Sequence, residues 1–128
     1  MTIPELDGLK IEVTEEGEGT RETRRGDTIE VHYAGFLGVG EDKTEKGNEF
    51  DTSYKRNQPL KFTAGQGQVI KGWDEGLLGM KIGEERTLNI HPSLAYGNRD
   101  VGNGLIPPNS TLIFTTKLVS IAGVSPGE

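Results

Sequence analysis

The sequence predicts an α+β domain: a curved antiparallel β-sheet of about five strands wrapped around one short α-helix. Two observations carry this reading. Apolar residues alternate with polar ones in separate short runs, among them Leu9, Ile11 and Val13, then Ile29, Val31 and Tyr33, then Leu112, Phe114, Thr116 and Leu118. That is the period of strands with one buried face. A single segment has the helical period instead: Trp73, Leu77 and Met80 stand at i, i+4 and i+7 and hold the only tryptophan of the chain. Gly72, Gly76 and Gly79 lower its helix propensity, so the helix should be short and held by packing.

Taken in order, residues 1 to 8 read as a flexible lead-in to a domain spanning residues 9 to 122, with residues 123 to 128 as a tail. The first strand covers Leu9 to Val13 and ends at the turn Glu16-Gly17-Glu18-Gly19. The second runs from Ile29 to about Leu37. Gly38 to Glu49, with three glycines and six charged residues, is expected to be a mobile, solvated loop. Phe50 to Tyr54 reads as a short strand leading into the polar turn 55–59. Leu60 and Phe62 mark the next strand, the Trp73 helix follows, and Leu88 and Ile90 share one face of a strand over residues 84–90. Pro92 to Gly97 reads as a tight turn containing one helical turn. Asn98 to Asn109 is a loop that carries two apolar residues, Leu105 and Ile106. In the last strand the parity changes at Val119 and Ile121, as a bulge requires.

At 128 residues the chain is one domain with one core. A net charge of −6 with scattered basic residues argues against nucleic acid or an anionic membrane as partner. No cysteine is present, which removes thiol and zinc–cysteine chemistry and fits a reducing compartment. No apolar run reaches the ~18 residues of a membrane span. The first residues lack the basic and apolar regions of a secretory signal, so a cytoplasmic location is expected.

No phosphate loop, dinucleotide fingerprint or nucleophile elbow occurs. His32 and His91 have no ligand-type neighbours at metal spacing, and His32 falls on the polar face of its strand. The carboxylate pairs Glu84-Glu85 and Asp74-Glu75 read as solvent-facing, since adjacent side chains diverge. Without further information Trp73, Tyr33 and Phe114 are core residues and Arg56 is solvated. An enzyme built this way would use neither metal nor covalent chemistry.

Five segments together resemble the FKBP family of peptidyl-prolyl cis–trans isomerases, which bind the macrolides tacrolimus and rapamycin. They are His32-Tyr33-Ala34-Gly35, Phe50-Asp51-Thr52-Ser53, Val69 to Gly76, Ala95-Tyr96-Gly97 and Ile106 to Phe114, and the likeness runs from Leu9 to Ile121. The resemblance implies a catalytic set of Tyr33, Phe50, Asp51, Trp73, Tyr96 and Phe114. It implies a wider peptide and macrolide site that adds Arg56, Leu60, Phe62, Gln68, Val69, Ile70 and Ile106. A proline ring would lie on Trp73, and the Ile70 N–H and Tyr96 hydroxyl would donate to ligand carbonyls. The Gln68 carbonyl would accept from a ligand hydroxyl, and Asp51 would pair with Arg56 near the Tyr33 hydroxyl. Neither a cofactor nor a metal is implied. The partners implied are X–Pro peptides and proteins, tacrolimus, rapamycin and, through the drug complex in a eukaryotic host, calcineurin; a monomer is expected.

The chain departs from the family pattern in three places. Leu60 stands where the family has an aromatic rim residue, the loop from Gly38 to Glu49 is longer, and Gly102-Asn103 replaces a His-Pro pair in the loop from Asn98 to Leu105. The alternative reading is a non-catalytic protein-binding module on the same fold; retention of the six catalytic-set residues favours the isomerase. A general chaperone would need an apolar flap, for which no segment is long or apolar enough.

Overall fold

The structure, a computed structural model, describes residues 2–128, with the side chains of residues 7–128. Its strands are β1 (Thr2–Leu6), β2 (Leu9–Glu15), β3 (Thr28–Val39), β4 (Glu45–Thr52), β5 (Leu60–Thr63), β6 (Glu85–Ile90) and β7 (Leu112–Ile121), and its helix is α1 (Lys71–Gly76). Among the described residues the strands form one sheet in the order β1-β2-β6-β7-β3-β4, and β5 also pairs with β3. Every pairing is antiparallel. The class read from the sequence therefore holds, with seven strands rather than about five.

The two added strands have different origins. Thr2–Leu6, read as lead-in, pairs with β2 along the sheet edge. The stretch from Gly38 to Glu49, expected as a mobile loop, is instead the end of a β-hairpin in which Gly38 pairs with Lys46 and Val39 with Glu45. Its tip is tied by Asp42, whose carboxylate accepts from the Thr44 hydroxyl at 2.7 Å. The backbone ladder satisfies the hairpin's polar groups, so its charged side chains are free to face water.

Alternation places Leu9, Ile29, Val31, Leu88, Ile90 and Leu112 on the inner face, each almost fully buried. The parity change near Val119 is a bulge: Glu30 pairs with Ser120 and Val31 with Leu118, leaving Val119 unpaired. Leu118 and Ile121 thus both reach the core while Val119 is left exposed.

The helix glycines have a packing reason. A Cβ on Gly72 would lie 2.6 Å from Cγ2 of Ile90, and one on Gly76 would lie 3.0 Å from Cδ1 of Leu88. One turn apart on one face, they let the α1 backbone settle directly on β6. The ~1 kcal/mol of helix propensity lost at each glycine is the cost of that approach. Trp73 and Leu77 enter the core from the helix, and Met80 does so after the chain has left it.

The far end of α1 is fixed by a buried arginine. Arg86, on β6, donates from Nη1 to the carbonyls of Gly76 (3.0 Å) and Leu78 (2.8 Å), and from Nε to Glu84 (2.5 Å). Glu84, expected to face solvent, is buried with it. Its neighbour Glu85 lies in the β6 ladder opposite Lys117. Side chains of adjacent residues do diverge; here that divergence sends one carboxylate inward to a cation.

Candidate active site

A regular strand cannot present two consecutive residues to one side, yet Phe50 and Asp51 both line the same cavity. A bulge resolves this. Gly35 pairs with Asp51 but the next residue, Phe36, pairs with Glu49, so Phe50 is the extra residue of β4. Opposite the bulge, Gly35 leaves room for the rings: a Cβ there would stand 2.7 Å from both Phe50 and Phe114.

Trp73 forms the floor. It is 3% exposed, and Tyr33 and Phe114 meet it nearly at right angles, with centroids 5.0 and 5.2 Å away. Phe50 stands edge-on to Phe114 at 5.6 Å. The indole Nε1–H is buried and has no hydrogen-bond acceptor among the described residues. The rings of Tyr33, Phe62 and Phe114 that surround the indole offer at most a weak substitute for a carbonyl. Above the floor lies a cavity of about 190 Å³.

The walls come from separate elements: Tyr33 from β3, Phe50 and Asp51 from β4, Leu60 from β5, Phe114 from β7, and Tyr96 from the turn after β6. Gln68, Val69 and Ile70 arrive on the loop before α1. That loop is held from the helix side by Asp74, whose two carboxylate oxygens accept from the N–H groups of Gly65 (3.0 Å) and Gly67 (2.8 Å). Both glycines have positive φ, 73° and 75°, which turns their N–H groups toward the carboxylate. Asp74, read from sequence as solvent-facing, is therefore a buried anchor of the pocket rim.

At one edge Asp51 accepts from the Tyr33 hydroxyl at 2.5 Å and from Arg56 Nη1 at 2.8 Å, and Arg56 Nη2 donates to the Tyr33 hydroxyl at 2.9 Å. Burial acts to raise the Asp51 pKa, but the hydrogen bonds from Arg56 and Tyr33 outweigh it and leave the carboxyl below its ordinary range. Burial and the bond to Asp51 push the Tyr33 hydroxyl upward. Asp27 is also lowered, first by its hydrogen bond from Arg21. A carboxyl with a depressed folded pKa adds stability that is complete above its unfolded pKa, ~3.9, and is lost as pH falls through the lower folded value. The urea midpoint should therefore drop on acidification from about pH 4 to pH 2, and the double variant Asp27→Asn, Asp51→Asn should drop less. Equal acid sensitivity in both proteins would refute this assignment.

Of the residues singled out in the sequence, ten meet around the cavity: Tyr33, Phe50, Asp51, Leu60, Gln68, Val69, Ile70, Trp73, Tyr96 and Phe114. Three lie outside its lining. Arg56 sits behind Asp51, Phe62 packs beneath the indole at 5.8 Å, and Ile106 is core, 4% exposed. Two rim donors are left without partners among the described residues, the Ile70 N–H and the Tyr96 hydroxyl. His32, read as a surface residue, is half-buried; its Nδ1 lies 2.8 Å from Ser53 Oγ and its ring stacks on Tyr54. Sequence reading missed Gly35, Ser53 and Asp74 as parts of the site. All three stand inside the family-like segments, Gly35 in His32 to Gly35, Ser53 in Phe50 to Ser53 and Asp74 in Val69 to Gly76, which was the signal available.

A larger cavity, about 560 Å³, lies between the hairpin tip and β2. Its walls mix the charges of Asp7, Lys10, Asp42 and Lys43, with His91 as the one ring in the lining. The smaller cavity is the candidate site, because it combines an aromatic floor on Trp73 with unpartnered rim donors.

An apolar aromatic shelf with a few fixed hydrogen-bonding groups defines a non-covalent pocket for a small apolar ring in a peptide. The model of the FKBP-type peptidyl-prolyl cis–trans isomerases matches residues 19–119, and the chain belongs to that family. It is 67% identical over all of both chains to a Neurospora crassa protein named FK506-binding protein 1A. It is 58% identical to an Aspergillus oryzae protein named FK506-binding protein 2, over 94% of this chain and 84% of that one. A crystal structure of AtFKBP13 superposes with a TM-score of 0.77 at 40% identity, covering 91% of this chain and 94% of that one.

Proposed function

We propose that the cavity above Trp73 takes the proline ring of an X–Pro segment and speeds rotation about the bond before it, and that tacrolimus and rapamycin fill the same cavity. The observation that carries this is the pairing of a buried, acceptor-free indole floor with two unpartnered rim donors. Rotation about a peptide bond is slow because twisting destroys amide resonance, a barrier of ~18–20 kcal/mol. The twisted amide is less polarised than the planar one. A site without water therefore raises the planar ground state relative to the twist, with no proton transfer. In this reading the Ile70 N–H and Tyr96 hydroxyl hold the flanking carbonyls while the bond turns. Going from ~10–100 s to milliseconds takes about 10⁴-fold, or ~5–6 kcal/mol. Desolvation, two hydrogen bonds and a bent backbone together cover that range.

The Neurospora relative is named for binding FK506, which is tacrolimus, and its full-length likeness supports the same ligand here. With the drug seated, the rim loop over residues 98–109 and the β3–β4 hairpin are the surfaces offered to calcineurin. The protein acts as a cytoplasmic monomer in this reading, to be checked by fractionation and sizing. The main test measures isomerisation of a Leu-Pro peptide with and without rapamycin, together with fluorescence of the single tryptophan. Acceleration abolished by the drug, with a change in Trp73 emission, is the expected result. A drug-induced emission change without acceleration would leave only a binding module; neither response would overturn both parts.

A further inference from the structure

One edge of β3 is served by two strands: β5 pairs with Thr28 to Val31, and β4 with Ala34 to Val39. Between them His32 and Tyr33 have no strand partner on that side among the described residues, and Ser53 fills the gap. The Ser53 N–H donates to the Tyr33 carbonyl at 2.9 Å, and its Oγ accepts from the Tyr33 N–H at 2.7 Å. The same hydroxyl lies 3.2 Å from the Tyr33 carbonyl and 2.8 Å from His32 Nδ1. A hydroxyl has one proton and two acceptor sites, so all three partners are served together when His32 carries its proton on Nδ1. Ser53 is 0% exposed, and no water can replace these bonds.

The segment around Ser53 closes a ring. Two residues before it stands Asp51, and three after it stands Arg56, whose N–H donates to the Ser53 carbonyl at 3.2 Å. Both side chains reach the hydroxyl of Tyr33, whose backbone Ser53 holds. We infer that Ser53 is a positioning residue of the site: its hydroxyl, clamped to the Tyr33 backbone, sets where Tyr33, Asp51 and Arg56 meet at the cavity edge. Its effect on turnover rests on the proposed isomerase reading. Its effect on Tyr33 does not.

The test uses Ser53→Ala together with Ser53→Cys, which keeps the side chain's bulk but offers only a weak hydrogen bond. Thr23→Val is the control, since Thr23 is equally buried and donates its hydroxyl to the Met80 carbonyl, away from the site. Both Ser53 variants should lower kcat/KM for a Leu-Pro peptide about tenfold, while Thr23→Val stays within about twofold whatever its loss of stability. In a Tyr33→Phe background Ser53→Ala should change kcat/KM less than about twofold, because two residues acting through one group are not additive. Carbon NMR of the Tyr33 ring, one of three tyrosines in the chain, should show a shifted Cζ resonance in both Ser53 variants. An active wild type with Ser53 variants within twofold, additive losses, or an unmoved Cζ resonance would overturn the role of Ser53 alone. A wild type without isomerase activity would overturn the proposed function, and the Cζ resonance would still decide for or against Ser53.

Discussion

Replacing Arg86 with methionine is expected to destabilise the folded domain by about 3–5 kcal/mol, because it leaves a carboxylate buried without its cation. Glu84 and Arg86 are 6% and 3% exposed, so each charge has lost most of its hydration. The guanidinium also serves the carbonyls of Gly76 and Leu78, where α1 ends and its own hydrogen bonds run out. Methionine fills much of the space but offers no donor, so the Gly76 and Leu78 carbonyls lose Arg86 and Glu84 keeps only the Lys81 N–H. The double variant Arg86→Met, Glu84→Met should recover much of the loss, since buried ion pairs often break even against apolar side chains of similar size. Urea unfolding of the four proteins gives both numbers and their coupling. A single variant within about 1 kcal/mol of wild type would show that Glu84 finds another partner or water.

Periodicity made β2, β3, β5, β6, β7 and the helix legible, because each buries one face. It showed only the end of β4, from Phe50 on. In Glu45–Thr52 only the last residue is buried, and the strand exists because β3 offers it a backbone ladder, which leaves no mark on side-chain choice. The pocket rings were legible as a family pattern, while their support was not. Ser53, Asp74 and Glu84 are polar residues, and each is buried with a partner outside its own helix or strand run: Tyr33 for Ser53, the N–H groups of Gly65 and Gly67 for Asp74, and the helix end for the Glu84–Arg86 pair. Pattern reading assigns such residues to solvent, because it sees one chain segment at a time. The helix glycines show the same limit. Propensity counts Gly72 as a loss, and only the Ile90 side chain across the interface turns it into a requirement.

Trp73→Ala is expected to lower stability by about 3–5 kcal/mol and to abolish nearly all isomerase activity, and Trp73→Leu separates the two effects. The indole is both core and shelf: one side packs on Phe62 and the other faces the cavity. Alanine removes the whole ring, joins the resulting void to the cavity and lets water onto the floor. If dryness is what weakens the planar amide, water there should restore its solvation and return most of the barrier. Leucine also leaves some space but keeps the floor apolar. It should fold with a smaller loss and retain kcat/KM within about tenfold of wild type, against a fall of about a hundredfold or more for alanine. A leucine variant as inactive as alanine, yet well folded by urea titration, would show that the indole acts through its ring faces or its N–H. In that case the perpendicular contacts with Tyr33 and Phe114 would be the part of the site to vary next, because these rings stand nearest the indole.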